Sequence, residues 1–197
     1  MALVSGATRY IGTIGCMPNW CVSKITVSGS SSSMAQFYEG LGERDTQSTF
    51  SVLEAFCPEP EGLSTEANDT TWLQLEILGR LGRNGADAER VYATGDDWFS
   101  WRMVNWGTKW SDDSYGIIKR ARSCSFEMQT PWGPALAGLA TLSAVLGVSV
   151  SVTYNEPGMG LRGSARFVHG ECVRATWWDD NRVRHSEPRT NGEDESQ

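Results

Sequence analysis

Acidic pairs stand on either side of a tryptophan-rich run. Asp96-Asp97 precede it, Asp112-Asp113 follow it, and NWGTKW occupies 105–110 between them. Glu156 adds a further carboxylate in the turn-like stretch YNEPG. Carboxylates so placed can act as a general acid–base pair or hold a divalent cation through oxygen. Acids in loops equally serve as helix caps and solvated turn residues, and that is the simpler reading of these.

Covalent catalysis needs a base within hydrogen-bond reach of its nucleophile. His169 and His185 are the only two histidines. The first falls at an expected hairpin tip and the second near a polar tail, and neither neighbours a G-x-S-x-G elbow. Cys16-x4-Cys21 and His169-x2-Cys172 can be drawn as two halves of a zinc set. Their spacing is loose, however, and Cys124 and Met128 already read as core positions, so buried free thiols are the better account. No G-x-x-x-x-G-K-[ST] stretch supports phosphate cradling by a glycine loop. No catalytic residue, cofactor or metal site is therefore expected, and the chain reads as a non-enzyme.

The tryptophans offer another kind of chemistry, and there are nine of them. Trp98 and Trp101 would share one face of a helix. In NWGTKW, Gly107 permits a tight bend, Asn105 and Thr108 can satisfy turn amides, and Lys109 can lie against Trp106 or Trp110 in a cation–π contact. One reading makes this segment a wedge that closes the edge of the fold. The other makes the indoles anchors for a protein partner, with Trp20, Trp132 and the pair Trp177-Trp178 as further candidates. A separate cluster, Arg162, Arg166 and Arg174 with Arg182 and Arg184 beyond, can meet phosphate or merely solvate an edge hairpin.

These side chains must be carried by a modest scaffold. The chain has 197 residues, 40% hydrophobic content and a net charge of −7, enough for one domain with embellishments and a real core. The acidic balance opposes broad phosphate binding but not a local basic patch. Five irregularly spaced cysteines and an N-terminus without the pattern of a secretory signal point to a reducing, cytosolic setting. No apolar run approaches the ~20 residues needed to cross a membrane.

Alternation marks VSVSVTYN (148–155) as a strand with one buried face, and SCSFEMQ (123–129) as another. Between them Leu136, Leu139, Leu142, Val145 and Leu146 recur at helical spacing, with Pro134 near the start and Gly147 at the end. In the front half SKITVSG reads as a strand, with Ile25 and Val27 inward. A helix follows with Met34, Phe37, Tyr38 and Leu41 on its apolar side, and STFSVLEAF reads as a second strand. The order is β-α-β … β-α-β, a split α+β sandwich of ferredoxin-like type. A helical stretch is expected at TWLQLEILGRL (71–81), a shorter one at DDWFSWRMV, and a hairpin over 161–178 turning at His169-Gly170. The outward positions of the two central strands, Lys24, Thr26 and Ser28 with Ser125, Glu127 and Gln129, offer no aromatic for stacking bases.

Four stretches in order, MPNWCVSKITVSG (17–29), NWGTKW (105–110), EMQTPWGP (127–134) and YNEPGMGLRG (154–163), resemble the YubB-type family of bacteriophage and plasmid proteins. The resemblance spans roughly residues 17–170. It implies a ferredoxin-like domain and an origin on a mobile element, and no activity defines the family. Two features depart from its pattern. The opening methionine is here Met17, and Thr130-Pro131-Trp132-Gly133-Pro134 stands where the family tends to carry Ala-Trp-Ser-Pro-Pro.

The expected organisation is an N-terminal extension (1–16), a ferredoxin-like domain (17–178) that includes an insert (57–120) and the hairpin (161–178), and a polar acidic tail (179–197). The expected function is that of a non-enzymatic accessory protein that binds a host or phage protein, in the host cytoplasm or associated with the virion. The alternative is a nucleic-acid binder using Arg162, Arg166 and Arg174. A small carboxylate-dependent enzyme comes last. Oligomeric state is not legible in the sequence.

Overall fold

The computed structural model describes residues 19–42, 48–64, 97–178 and 184–186. The extension 1–16, the helical stretch 71–81, Cys16, Asp96, Arg182 and most of the tail lie outside the described residues.

β1 (Trp20–Ser28) is followed by α1 (Ser31–Leu41), a short α2 (Val52–Phe56) and α3 (Trp98–Asn105). β2 (Asp113–Lys119), β3 (Ser123–Pro131), α4 (Leu136–Leu146) and β4 (Ser149–Glu156) come next. A 3-10 turn over Pro157–Met159, β5 (Leu161–Val168), β6 (Glu171–Trp178) and β7 (Arg184–Ser186) complete the described chain. The strands form one antiparallel sheet in the order β2-β3-β1-β4-β5-β6-β7. Its first four places reproduce the ferredoxin-like arrangement, and the α+β expectation holds.

Helices cover one face. Cys21, Ile25 and Val27 of β1, Cys124, Phe126 and Met128 of β3, and Val150 and Val152 of β4 point into it. There they meet Met34, Phe37 and Leu41 of α1 and Leu139 and Leu142 of α4. Ser30 caps α1 by accepting from the Ser33 N–H, the role its serine run suggests. At the far end of α4, the Ser143 hydroxyl donates to the Val148 carbonyl at 2.6 Å and accepts from the Gly170 N–H at 3.2 Å. The β5–β6 turn is thereby tied to the helix. His169 and Gly170 both have positive φ, 52° and 88°, which is the twist a two-residue hairpin needs.

Three expectations are corrected. STFSVLEAF is not a strand: Phe50 makes one isolated bridge to Ser114, and Val52–Phe56 is helical. Its N-terminus is fixed by Ser51 and by the carboxylate of Asp112, so a distant acid decides what local alternation could not. The second strand of the fold is instead DSYGIIK, β2. Val145 is not on the buried stripe of α4 and is 62% exposed, because the helix covers the sheet through Leu139 and Leu142.

The other face of the sheet is open. Residues paired across neighbouring strands point to the same side, so the register places on this face a row through Ser123, Ser28, Ser149, Val168 and Glu171 and three more beside it. One runs Asp113, Gln129, Val22, Asn155, Arg162, Trp178. The next runs Tyr115, Glu127, Lys24, Thr153, Ser164, Thr176, and the third Ile118, Ser125, Thr26, Ser151, Arg166, Arg174.

Candidate functional site

α3 begins at Asp97, whose carboxylate accepts from the Phe99 and Ser100 N–H groups and from the Ser100 hydroxyl. The helix ends in the NWGTKW run. Trp106 is 1% exposed and its indole N–H donates to the Cys57 carbonyl at 2.7 Å. Its own carbonyl accepts from the Gly138 N–H at 3.2 Å, seating the start of α4 against it. Gly107 takes φ 79°, where a side chain would be strained. Asn105 turns back to the Trp101 carbonyl at 2.9 Å, and Thr108 is buried against the Pro131 carbonyl. The first half of the motif is therefore internal structure.

Its second half reaches the surface. Lys109 Nζ lies 5.4, 5.7 and 5.8 Å from the ring centres of Trp110, Phe99 and Trp132, an aromatic surround for its charge. Trp110 and Trp132 approach to 5.2 Å. Trp132 sits at φ 62°, a conformation that costs an aromatic residue about 1–3 kcal/mol and is found mainly where surroundings impose it. Here its N–H donates to the Asn19 carbonyl at 2.7 Å, and the next N–H, of Gly133, donates to the Pro131 carbonyl at 2.8 Å. The Trp132–Asn19 bond holds the start of β1 against the backbone of Trp132. The 157–159 turn closes the group, since a Cβ on Gly158 would come within 2.5 Å of the Asn19 amide. The outcome is an apolar corner where Trp20, Trp110 and Met159 are 41%, 36% and 53% exposed. Trp20 belongs to β1, Trp110 to the loop after α3, and Met159 to the turn after β4.

The acidic candidates do not converge. Asp112 is buried and accepts from the Val52 and Leu53 N–H groups and from the hydroxyls of Ser51 and Ser114. Glu156 is buried and accepts from the N–H groups of Gly158 and Met159. Together with Asp97, each acts as a cap. Burial pushes the Cys21 thiol up to about 11 and that of Cys124 to about 12, and raises Cys57 as well. None of the three supplies a thiolate at neutral pH. His169 is exposed at the hairpin turn, and Cys172 is exposed on β6. Among the described residues no group of three His, Cys, Asp or Glu converges on a metal position. No described helix is long and apolar enough to cross a membrane.

The remaining candidates separate by face. Trp178 lies on the open face with the Arg162 guanidinium 5.3 Å from its ring centre, while Trp177 points to the helix side, opposite Gly163. Arg166 and Arg174 are directly paired. Two features escaped the sequence reading: Met159, and the ion pair of Arg102 with Glu59 behind the aromatic corner. Both depend on contacts between distant segments and leave no local signal.

Residues 103–194 match the family described as the ferredoxin-like domain in Api92-like protein. The crystal structure of a protein Api92 from Yersinia pseudotuberculosis superimposes with a TM-score of 0.50 at 11% identity. The superposition covers 83% of this chain and 99% of that one, and it speaks for the fold alone. No curated protein matches the chain.

Proposed function

We propose that this is a non-enzymatic accessory protein that docks a protein partner at the corner formed by Trp20, Trp110, Trp132 and Met159. The observation that carries the reading is that Trp20, Trp110 and Met159 are all exposed on segments which the Trp132–Asn19 bond and the close approach of Gly158 to Asn19 bring together. Large rigid aromatic side chains at the centre of a contact supply most of its energy while losing little conformational entropy. The use of Asp97, Asp112 and Glu156 as caps supports a binding role over acid–base chemistry.

The ordered motifs of the YubB-type resemblance support a bacteriophage or plasmid setting, with the partner a host or phage protein. Comparative affinity capture from cells carrying such an element tests the proposal. A partner retained by the native chain and by a Val145→Ala control, and lost with Trp20→Ala or Trp110→Ala, is the expected result. A partner retained equally by all four proteins contradicts it.

A further inference from the structure

The open face of the sheet is not uniform in charge. Its acids are Asp113 on β2, Glu127 on β3 and Glu171 at the start of β6, and Lys24 on β1 is the register neighbour of Glu127. Along the middle of β5 and β6 the charged residues on this face are arginines, with Glu171 one row further toward the hairpin turn. The row through Ile118, Ser125, Thr26, Ser151, Arg166 and Arg174 contains no carboxylate. Arg166 and Arg174 are directly opposite one another and both exposed, a like-charge pairing that destabilises a bare sheet. Among the described residues neither these two nor Arg162 has an ion-pair partner.

Four residues along the same strands, on the same face, Arg162 pairs with Trp178 and stacks on its ring. At ~3.3 Å per residue the two pairs are roughly 13 Å apart, and about 5 Å separates the members of each. Ser164 and Thr176 lie between them. The patch is thus a short track, with two cations at one end and a cation with an aromatic ring at the other, over the half-buried Ser164 and the buried Thr176.

We propose that this track on β5 and β6 binds single-stranded nucleic acid, with Arg162, Arg166 and Arg174 on phosphates and Trp178 beneath a base. Phosphates neutralise the clustered cations, and a ring already flanked by guanidinium suits base stacking. Duplex is disfavoured because its bases are stacked and unavailable to Trp178. This site is distinct from the aromatic corner and its fate does not depend on a protein partner.

The test is fluorescence anisotropy of the full chain with labelled oligothymidylate and oligouridylate. Three phosphate contacts predict binding that weakens roughly 20-fold between ~50 and ~200 mM salt. The double variant Arg166→Ser with Arg174→Ser binds more weakly and weakens only about threefold over the same range. It unfolds no earlier than the native chain, because a like-charge pair has been removed. Trp178→Ala loses roughly 10-fold in affinity, whereas Trp178→Phe keeps most of it. Inorganic polyphosphate, which has charge but no bases, competes poorly. The proposal is overturned by absence of binding at low salt, by a double variant with the native salt slope, or by polyphosphate competing as well as oligonucleotide with Trp178→Ala unaffected.

Discussion

Arg102 grips Glu59 through two 2.7 Å hydrogen bonds, Nε to Oε1 and Nη2 to Oε2, from a position between the rings of Trp98 and Trp106. The pair clamps the segment after α2 onto α3 just behind the aromatic corner. A planar fork suits both the carboxylate and the two rings, and an ammonium does not. Arg102→Lys is expected to destabilise the fold by about 1–2 kcal/mol despite conserving charge. Urea unfolding checks this, and an unchanged midpoint would show the clamp to be slack.

Asp112 joins α2 to the loop that follows Trp110. Its loss strands two buried N–H groups and two hydroxyls. Asp112→Ala is expected to cost about 3 kcal/mol in thermal or urea unfolding. Asp112→Asn, which keeps one acceptor oxygen, is expected to cost about half as much. Equal effects would mean that volume, and not the cap, is what the site needs.

These two contacts also show why the sequence was only partly legible. β3 and β4 announce themselves by an unbroken period of two, α4 by its leucines between Pro134 and Gly147, and the β5–β6 hairpin by its turn at His169-Gly170. β2 does not: Gly116 sits at φ 67° and the register shifts between Tyr115 and Ile118, so the period-two pattern is broken midway. α2 has five residues, too few to display a helical period, and its start is set by an acid sixty positions away. The tryptophan run was visible as a motif, but its division into the buried Trp106 and the surface Trp110 rests on where α4 and β3 close over it. Trp20 and Met159 join the corner only through Asn19 and the 157–159 turn. The hairpin arginines could be counted in sequence, and the sheet register is what puts them on one face.

Trp132 separates stability from docking. Trp132→Gly removes a ring from the corner but releases the cost of holding φ at 62°, about 1 kcal/mol or more. Its melting temperature is expected to fall by less than that of Trp106→Ala, which empties a fully buried site and loses the bond to Cys57. Calorimetry on the two variants compares them directly, and a larger loss for Trp132→Gly would place that ring among the supports of the core.

The buried thiols make the fold sensitive to alkali. Cys21 and Cys124 titrate at about 11 and about 12 in the folded chain, against 9.0 for an unperturbed thiol. Between those values the unfolded chain releases protons that the folded chain keeps, so stability falls as pH rises. It is expected to be independent of these two groups below pH ~9 and to decline from there, through about 11 for Cys21 and about 12 for Cys124. Replacing both by Ala flattens that decline, as pH-resolved urea melts will show. Peptide-resolved iodoacetamide labelling at neutral pH is expected to modify Cys172, which is exposed, and to spare Cys21 and Cys124.

Whether the aromatic corner meets a partner is most directly read by photo-crosslinking. A benzophenone amino acid at position 20 and another at position 145, in otherwise native chains, report on the corner and on the distant exposed face of α4. In cells that express the chain, the probe at Trp20 is predicted to yield a discrete protein adduct that disappears with Trp110→Ala and that the probe at Val145 never forms. Identical adduct patterns from both positions, or none from position 20, would contradict the account.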